Sequence, residues 1–532
     1  MRDKSRSIVI WEMDRTPVNR IVGRSDSFLA SFMAPKEPSD CIAEWQIVSE
    51  LECWFAECGS QPLILWSWDD TIQERPKEQD RQVPHDEVLH HFHSYWGIIG
   101  LVDQHSFARH SYDLVSRFRS FLCQKARTIK IQIRKQALRT VWRQNTSQKC
   151  SLDRRLEFGA NLAGFFTGRF GIAASSRAFA QALELAQVPH VLNNVVSRTH
   201  GERHPSTLPL TSENPYAINL IHVNPDTAGN FILSRTSLIS GPRYFSGKYN
   251  IGIWYWETSR FPARWIPLLR FYDEIWATSS FTVQSLSKVS PIPVVKMRYP
   301  LFVDTSLIDR TARRKLDLQD DQCVFLFVFD FASVLERKNP LALISAFEQA
   351  FSHNDKAVLV LSHINSTLNP SWARKLEKAS ANLNVKILSK HLSEQEYVSV
   401  LAACDCYVSL HRSEGLGLPM AEAMYLGKTV IATAYGGNVD FMNASNSLPL
   451  DYKLVELDRD YGPYEKGSLW AEPDVEQAVE LMRSVCADRE LARAIGRSAA
   501  DNIREFMNPA IASQEIRARL EFVYSNSFAQ TS

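Results

Sequence analysis

"HRSEGLGLPMAEAM", residues 411–424, sets two glutamates, Glu414 and Glu422, eight positions apart, with Gly415, Gly417 and Pro419 between them. Part of the stretch is ordinary packing chemistry. Proline suits the first turn of a helix, glycine suits a tight turn, and Met420, Ala421, Ala423 and Met424 have the character of packing residues. The carboxylates are not explained in this way, because glutamate is rarely placed in a strand-to-helix crossover merely to be solvated. "CYVSLH" (406–411) reads as a strand that ends at His411. The Gly415-Leu416-Gly417 turn is then expected to present free N–H groups, with the positive end of a helix over 418–426 aimed at the same place. Glu414 falls on the loop. Glu422 falls about one turn into the helix, its side chain leaning back towards the N-terminus. Carboxylates so placed suit the vicinal hydroxyls of a sugar at the first position and of a ribose at the second.

The same rhythm runs outward in both directions. "CVFLFVFD" (323–330), "AVLVLSH" (357–363), "VKILSK" (385–390) and "TVIATAY" (429–435) read as strands separated by helix-length segments. An earlier series has "AINLIHVN" (217–224), "YNIGIWYW" (249–256), "EIWATSS" (274–280) and "VVKMRYP" (294–300), with a helical stretch at 172–187. Alternation at this spacing predicts α/β architecture with parallel sheets covered by helices. The break near 303–318 predicts two doubly wound domains with a cleft between them. Gly164 to Gly171, Asn224, Asp226, Glu257, Asp330 to Lys338, His363 and His411 to Glu414 all follow the carboxyl ends of proposed strands, the edge where such sheets bind ligands. Residues after Pro473 read as helical.

Two further motifs carry phosphate chemistry. "GFFTGRFGIAASSRAFAQAL" (164–183) is a glycine turn opening a helix, whose N–H groups suit phosphate. Its spacing is not that of a dinucleotide fingerprint, and a plain turn is the competing reading. "FDFASVLERKNPLALISAFEQAF" (329–351) places Arg337 and Lys338 before Asn339-Pro340, where Asn339 is expected to cap a helix and Lys338 to meet a diphosphate beside it. A solvated charge run is the plainer alternative.

Bulk composition excludes several classes. The 532 residues are 45% hydrophobic, 22% charged and 11% aromatic, a globular profile. With 60 Lys and Arg against 59 Asp and Glu, the net charge of +1 gives no field for nucleic acid. Nine cysteines without C-x-x-C pairing read as reduced thiols, and no window has eighteen apolar residues, so cytoplasmic residence is expected. "PHDEVLHHFH" (84–93) fits no zinc spacing and reads as a surface helix with histidines; no metal is expected. "LVSRFRSFLCQKARTIKIQIRKQALRTVWRQ" (114–144) has nine Lys and Arg, no acid, and apolar residues near helical spacing. It suits an anionic membrane surface or, equally, a basic linker helix packed on its own protein or on a partner.

Together, "GFFTGRFGIAASSRA", "NLIHVNPD", "GIWYWETSRFP", "EIWATSSFTVQSL", "FDFASVLERKNPLALI", "SEGLGLPMAEAM", "TVIATAYGGNVDFM" and "WAEPD" resemble, in order, the retaining glycosyltransferases of family 4, the glycosyl transferases group 1 of the GT-B fold. The resemblance spans roughly residues 156 to 525. It implies transfer of a sugar from a nucleotide-sugar to an acceptor hydroxyl with retention, in glycan or cell-surface polysaccharide biosynthesis, the acceptor being a glycan or a lipid-linked one. It also implies roles. Glu414, Lys338 and His222 would serve the reaction; Gly171, Ser333, Arg337, Gly415, Leu416, Gly417, Leu418 and Glu422 would hold the donor. No cofactor or metal is implied. One departure matters: the arginine that the family commonly places six residues before the lysine is Ala332 here, so either Arg337 or another basic residue in the cleft supplies the second cation, or donor binding is weaker.

The expected organisation is an N-terminal region over 1–113, a basic helical linker over 114–151, an acceptor-side Rossmann-like domain over 152–310, a donor-side one over 311–490, and C-terminal helices over 491–532. A non-catalytic carbohydrate-binding or scaffolding subunit is the alternative in another class, and the presence of Glu414, Lys338 and Glu422 argues against it. A GT-B phosphorylase would need a pyridoxal-phosphate lysine site for which no motif stands out.

Overall fold

A computed structural model of the chain describes residues 151–196, 208–233, 241–351 and 356–528, together with five strands between residues 7 and 103. The chain forms two compact units, Met1–Thr140 and Val141–Ser532.

In the first unit, β1 (Ser7–Trp11), β2 (Pro17–Val22), β3 (Leu63–Ser67), β4 (Glu87–His90) and β5 (Trp96–Asp103) form one sheet in the order β2-β1-β3-β5-β4. The apolar runs at 8–10 and 63–66 are thus strands, as their β-branched and aromatic content predicts. The histidine-rich segment differs from its expected helix: Glu87–His90 pairs antiparallel with β5, so tertiary pairing overrides local pattern there. The basic stretch 114–144 lies outside the described residues.

The second unit is built on two parallel six-stranded sheets. The first comprises β6 (Ala160–Gly164), β7 (His190–Asn194), β8 (Ile218–Ile221), β9 (Tyr249–Ile253), β10 (Glu274–Ala277) and β11 (Val294–Lys296), ordered β11-β10-β9-β8-β6-β7. The second comprises β12 (Cys323–Asp330), β13 (Ala357–Ile364), β14 (Val385–Leu388), β15 (Cys406–Ser409), β16 (Thr429–Thr433) and β17 (Leu448–Leu450), ordered β14-β13-β12-β15-β16-β17. Their central strands are buried almost throughout, which is why they lack the apolar–polar alternation of half-exposed strands; in the first sheet the buried Asn161 and Asn219 satisfy each other by a side-chain hydrogen bond at 3.1 Å. Strand order reverses between β6 and β8 in the first sheet and between β12 and β15 in the second. A crevice opens at the carboxyl ends of the strands at each reversal.

Two features were not legible locally. The long C-terminal helix Pro509–Ser527 returns to the first sheet: Arg519 pairs with the fully buried Glu274, and Arg517 Nη1 donates to the Ala186 carbonyl at 2.9 Å. The antiparallel pair β18 (Tyr452–Glu456) and β19 (Leu469–Pro473) carries a loop over 457–468 that meets Arg264, in the segment between β9 and β10 of the first six-stranded sheet. The cysteine reading is corrected in part: Cys323, at the start of β12, is disulfide-bonded to Cys486, while Cys404 and Cys406 are free and buried. Among the described residues, no helix is long and apolar enough to cross a membrane.

Candidate active site

The reversal between β12 and β15 is flanked by the two segments that carry the phosphate and carboxylate motifs. After β12 the chain makes a short helix, Leu335–Lys338, ended by Asn339 in the left-handed region at φ 56°. Asn339 therefore closes that helix, instead of capping the next one with its side chain, and the helix Pro340–Phe351 starts on proline. After β15, His411 is fully buried, and its Nε2 lies 3.1 Å from the Tyr435 carbonyl. The helix Leu418–Tyr425 then begins behind Gly417, whose φ of 89° favours glycine.

Hydrogen bonds stitch the two loops together. Arg412 N–H donates to the Arg337 carbonyl at 2.7 Å, and Arg337 Nη1 donates to the Ser413 carbonyl at 2.7 Å. Glu414 receives both cations: Lys338 Nζ pairs with its Oε1, and Arg337 Nη1 lies 3.2 Å from the same oxygen. Burial opposes ionisation of Glu414, but Lys338, Arg337 and His411 outweigh it and hold its carboxyl at about 2. Burial lowers Lys338 from the usual amine range, Glu414 counteracting it. Ala332 is exposed on this loop, and Arg337 supplies the second cation beside Lys338. Ser333 lies on the same loop, its N–H donating to the Asp330 carbonyl at 3.0 Å.

The glycine turn is clamped from the other domain. Ser279 Oγ donates to the Gly415 carbonyl at 2.6 Å, while from the turn's own domain a Cβ on Gly437 would overlap that same carbonyl, so the approach of residue 437 needs glycine. Among the described residues, the N–H groups of Gly415, Leu416 and Gly417 have no acceptor. Leu418 opens the helix, and Glu422 follows one turn on, away from the Arg337–Lys338 pair. The Tyr397 hydroxyl donates to Glu422 Oε2, and burial raises the Glu422 carboxyl to about 7.

The N-terminal face contributes differently. His222, after β8, is fully buried, with Nδ1 at 2.7 Å from Ser176 Oγ and Nε2 at 3.3 Å from Ser175 Oγ. Burial lowers its pKa to about 3, so the ring is neutral at physiological pH. It is enclosed with Phe179 and Tyr255 rather than set beside Glu414. Gly171 is exposed at the start of the helix Gly171–Leu185, and a Cβ there would meet nothing. Asn224 Oδ1 accepts from Tyr255 N–H at 2.9 Å, and Asp226 stands in the first turn of the helix Pro225–Leu233. His363 is buried beside Phe329 and Phe331, outside the ionic cluster.

Three residues join the site without having been assigned a role from sequence. Glu257 has its Cγ 3.6 Å from where a Cβ on Gly415 would sit, and burial raises its carboxyl pKa in spite of Arg337. Tyr464, on the 457–468 loop, lies with its ring 5.9 Å from the Arg337 guanidinium and 5.4 Å from the Trp256 ring. Arg264 fastens that loop, reaching Glu465 at 2.7 Å and the Pro463 carbonyl at 2.6 Å. Tyr397 is the third. Glu257 was visible as an acid at a strand end; Tyr464 and Tyr397 carry no local signal.

Residues 309–502 match the family described as Glycosyl transferases group 1, so the chain carries a domain of that kind. Among solved structures, sucrose-phosphate synthase from Thermosynechococcus elongatus is 15% identical, covers 70% of this chain and 100% of its own, and superposes with a TM-score of 0.51. Anabaena Alr3699/HepE, solved with UDP and glucose, is 13% identical over 69% of this chain and 100% of its own, at a TM-score of 0.48. A glycosyltransferase from Rickettsia africae is 14% identical over 69% and 99%, also at 0.48. No curated protein matches. At such identities the likeness to the synthase speaks for the fold alone. With the two parallel sheets, the architecture is GT-B.

Proposed function

We propose that the chain is a retaining glycosyltransferase of family 4 that moves a sugar from a nucleotide-sugar to an acceptor hydroxyl. The observation that carries this reading is the convergence of Arg337, Lys338 and Glu414 at the strand-order reversal of the C-terminal sheet, beside a glycine turn whose N–H groups have no acceptor among the described residues. A diphosphate entering there would take Lys338 and Arg337 as partners and free Glu414 for sugar hydroxyls. Negative charge grows on the diphosphate as its bond to the sugar breaks, and two fixed cations in a buried site stabilise that growth. The N–H groups of Gly415 to Leu418 add to it, Ser333 stands on the neighbouring loop, and Glu422 takes the ribose. Gly171 brings the N-terminal helix start to the opposite side. His222, neutral and held by two serines, supports the acceptor-side wall. Two protein cations do the work a metal would otherwise do, so the reaction is read as metal-independent.

The same reading places the enzyme in cell-surface polysaccharide or glycan synthesis in the cytoplasm, with a glycan or lipid-linked acceptor. The basic segment 114–144 suits the inner membrane surface. A thermal-shift screen across UDP-, GDP- and dTDP-sugars, followed by anomeric analysis of the product, tests the proposal. One donor should stabilise the protein and yield a product of unchanged configuration. An inverted product overturns retention, and stabilisation by no donor overturns the donor site.

A further inference from the structure

Glu422 is held by a residue to which neither the motif nor the reading above gives a role. Tyr397 lies on the helix Glu394–Ala403, which begins with a reciprocal cap: Glu396 N–H donates to Ser393 Oγ at 3.2 Å, and Ser393 N–H donates to Glu396 Oε2 at 2.8 Å. The Tyr397 N–H bonds the Ser393 carbonyl at 2.8 Å, so the tyrosine belongs to the capped first turns and its backbone is fixed. From there its hydroxyl reaches across to Glu422 Oε2 on the helix Leu418–Tyr425. Oε1 has no partner among the described residues.

We propose that Tyr397 is a positioning residue for nucleotide recognition: its hydroxyl holds Oε2 of Glu422 and leaves Oε1 to accept from the vicinal hydroxyls of a ribose. The inference rests on the nucleotide-sugar reading and deepens it. A glutamate side chain has three rotatable bonds, and one fixed oxygen removes most of that freedom before the ligand arrives.

The surrounding groups make the tyrosine matter more. Those that face Glu422 are Tyr397 and Glu394 from one helix, Tyr407 from β15, and Tyr299 from the N-terminal domain, with Arg177 interacting with Tyr299 and Glu394. Among the described residues, no lysine or arginine pairs with Glu422 as Lys338 pairs with Glu414. Burial drives the Glu422 carboxyl up, and the Tyr397 hydrogen bond is the main influence that opposes it. The ionised form accepts from two hydroxyls, so nucleotide affinity is expected to weaken as pH falls through about 7. Loss of the hydroxyl keeps the carboxyl protonated to higher pH and moves that fall upward.

The test is calorimetric titration of wild type, Tyr397→Phe and Glu422→Gln with UDP and with GDP, from pH 6 to 9, using pyrophosphate as a probe without ribose. Tyr397→Phe keeps the ring and should melt close to wild type. At pH 7 it should bind the preferred nucleotide about ten-fold more weakly, the gap should narrow towards pH 9, and pyrophosphate affinity should be unchanged. Glu422→Gln should bind weakly with a flat profile. Coincident profiles for Tyr397→Phe and wild type, with Glu422→Gln impaired, overturn the inference and leave the nucleotide reading standing. An equal loss for pyrophosphate also overturns it, because the tyrosine then acts on the site as a whole. If wild type binds pyrophosphate but neither nucleotide, the ribose assignment falls and this inference with it.

Discussion

Glu414 and Glu422 are the same residue type in one loop-helix segment, yet their surroundings drive them apart. Glu414 meets two cations from the loop after β12 and is held ionised, with its carboxyl at about 2. Glu422 meets a phenol and a neighbouring acid, and burial lifts it to about 7. The motif fixes position and leaves charge to whatever packs against it. One end of the segment is an anion at physiological pH, which on the proposed function an entering diphosphate would displace from its cations. The other is an acceptor whose charge is settled by pH and by the hydroxyl beside it.

The sharpest way to break this contrast is Glu414→Gln. It leaves Arg337 and Lys338 buried side by side without their carboxylate, a defect that costs about 3–5 kcal/mol in comparable buried pairs. Urea unfolding at neutral pH should show that loss, and pyrophosphate should restore more stability to the variant than to wild type. The folded-state carboxyl lies below its usual 4.5, so its stabilising contribution is complete above 4.5 and disappears as pH falls to about 2. A variant as stable as wild type at neutral pH would show that the cations do not depend on Glu414.

Lys338→Ala is expected to act on turnover more than on folding. On the proposed function it removes charge that offsets the growing charge on the diphosphate, and loss of one such donor lowers kcat by about 10²–10³. Arg337 remains beside Glu414, so the melting temperature should move little. Normal turnover from a strongly destabilised variant would make Lys338 structural.

Much of this site was legible in the sequence because it rests on short-range signals. β12 coincides with its apolar run, Gly417 sits where the turn needs a left-handed residue, and Pro340 and Leu418-Pro419 mark helix starts. The two loops were each recognisable, and the parallel alternation put both at strand ends. What escaped was long-range. The bond from Tyr397 to Glu422 spans 25 positions, and the approach of Tyr464 to Arg337 depends on how the 457–468 loop crosses to the Arg264 side. The disulfide between Cys323 and Cys486 has a separation of 163 residues and no spacing signature. His222 was singled out only through the family resemblance, and its enclosure depends on Ser175 and Ser176 from a helix far off in sequence.

A smaller effect separates the two glutamates through stability. The Glu422 carboxyl is raised in the folded protein, so its contribution is fully present below about 4.5 and is lost as pH rises through about 7. Glu422→Gln does not titrate there. The variant should therefore gain on wild type by about 1–2 kcal/mol between acid and pH 8, a figure reduced for the partial exposure of the side chain. Parallel stability curves for the two proteins across that range would mean that Glu422 is ionised as readily as a free carboxyl.

The smallest effect is the most local. Ser393→Ala removes one half of the reciprocal cap on the helix that carries Tyr397, a change worth about 1 kcal/mol at an exposed helix start. Hydrogen exchange should accelerate over the first turns of Glu394–Ala403 and not over Leu335–Lys338. A looser Tyr397 holds Glu422 less often, so nucleotide affinity should fall by about two-fold, while pyrophosphate affinity stays at the wild-type value because Lys338, Arg337 and Glu414 are held by other bonds. Equal weakening of both ligands would mean that the cap supports the whole pocket, and the separation between a fixed phosphate end and a tunable ribose end would not stand.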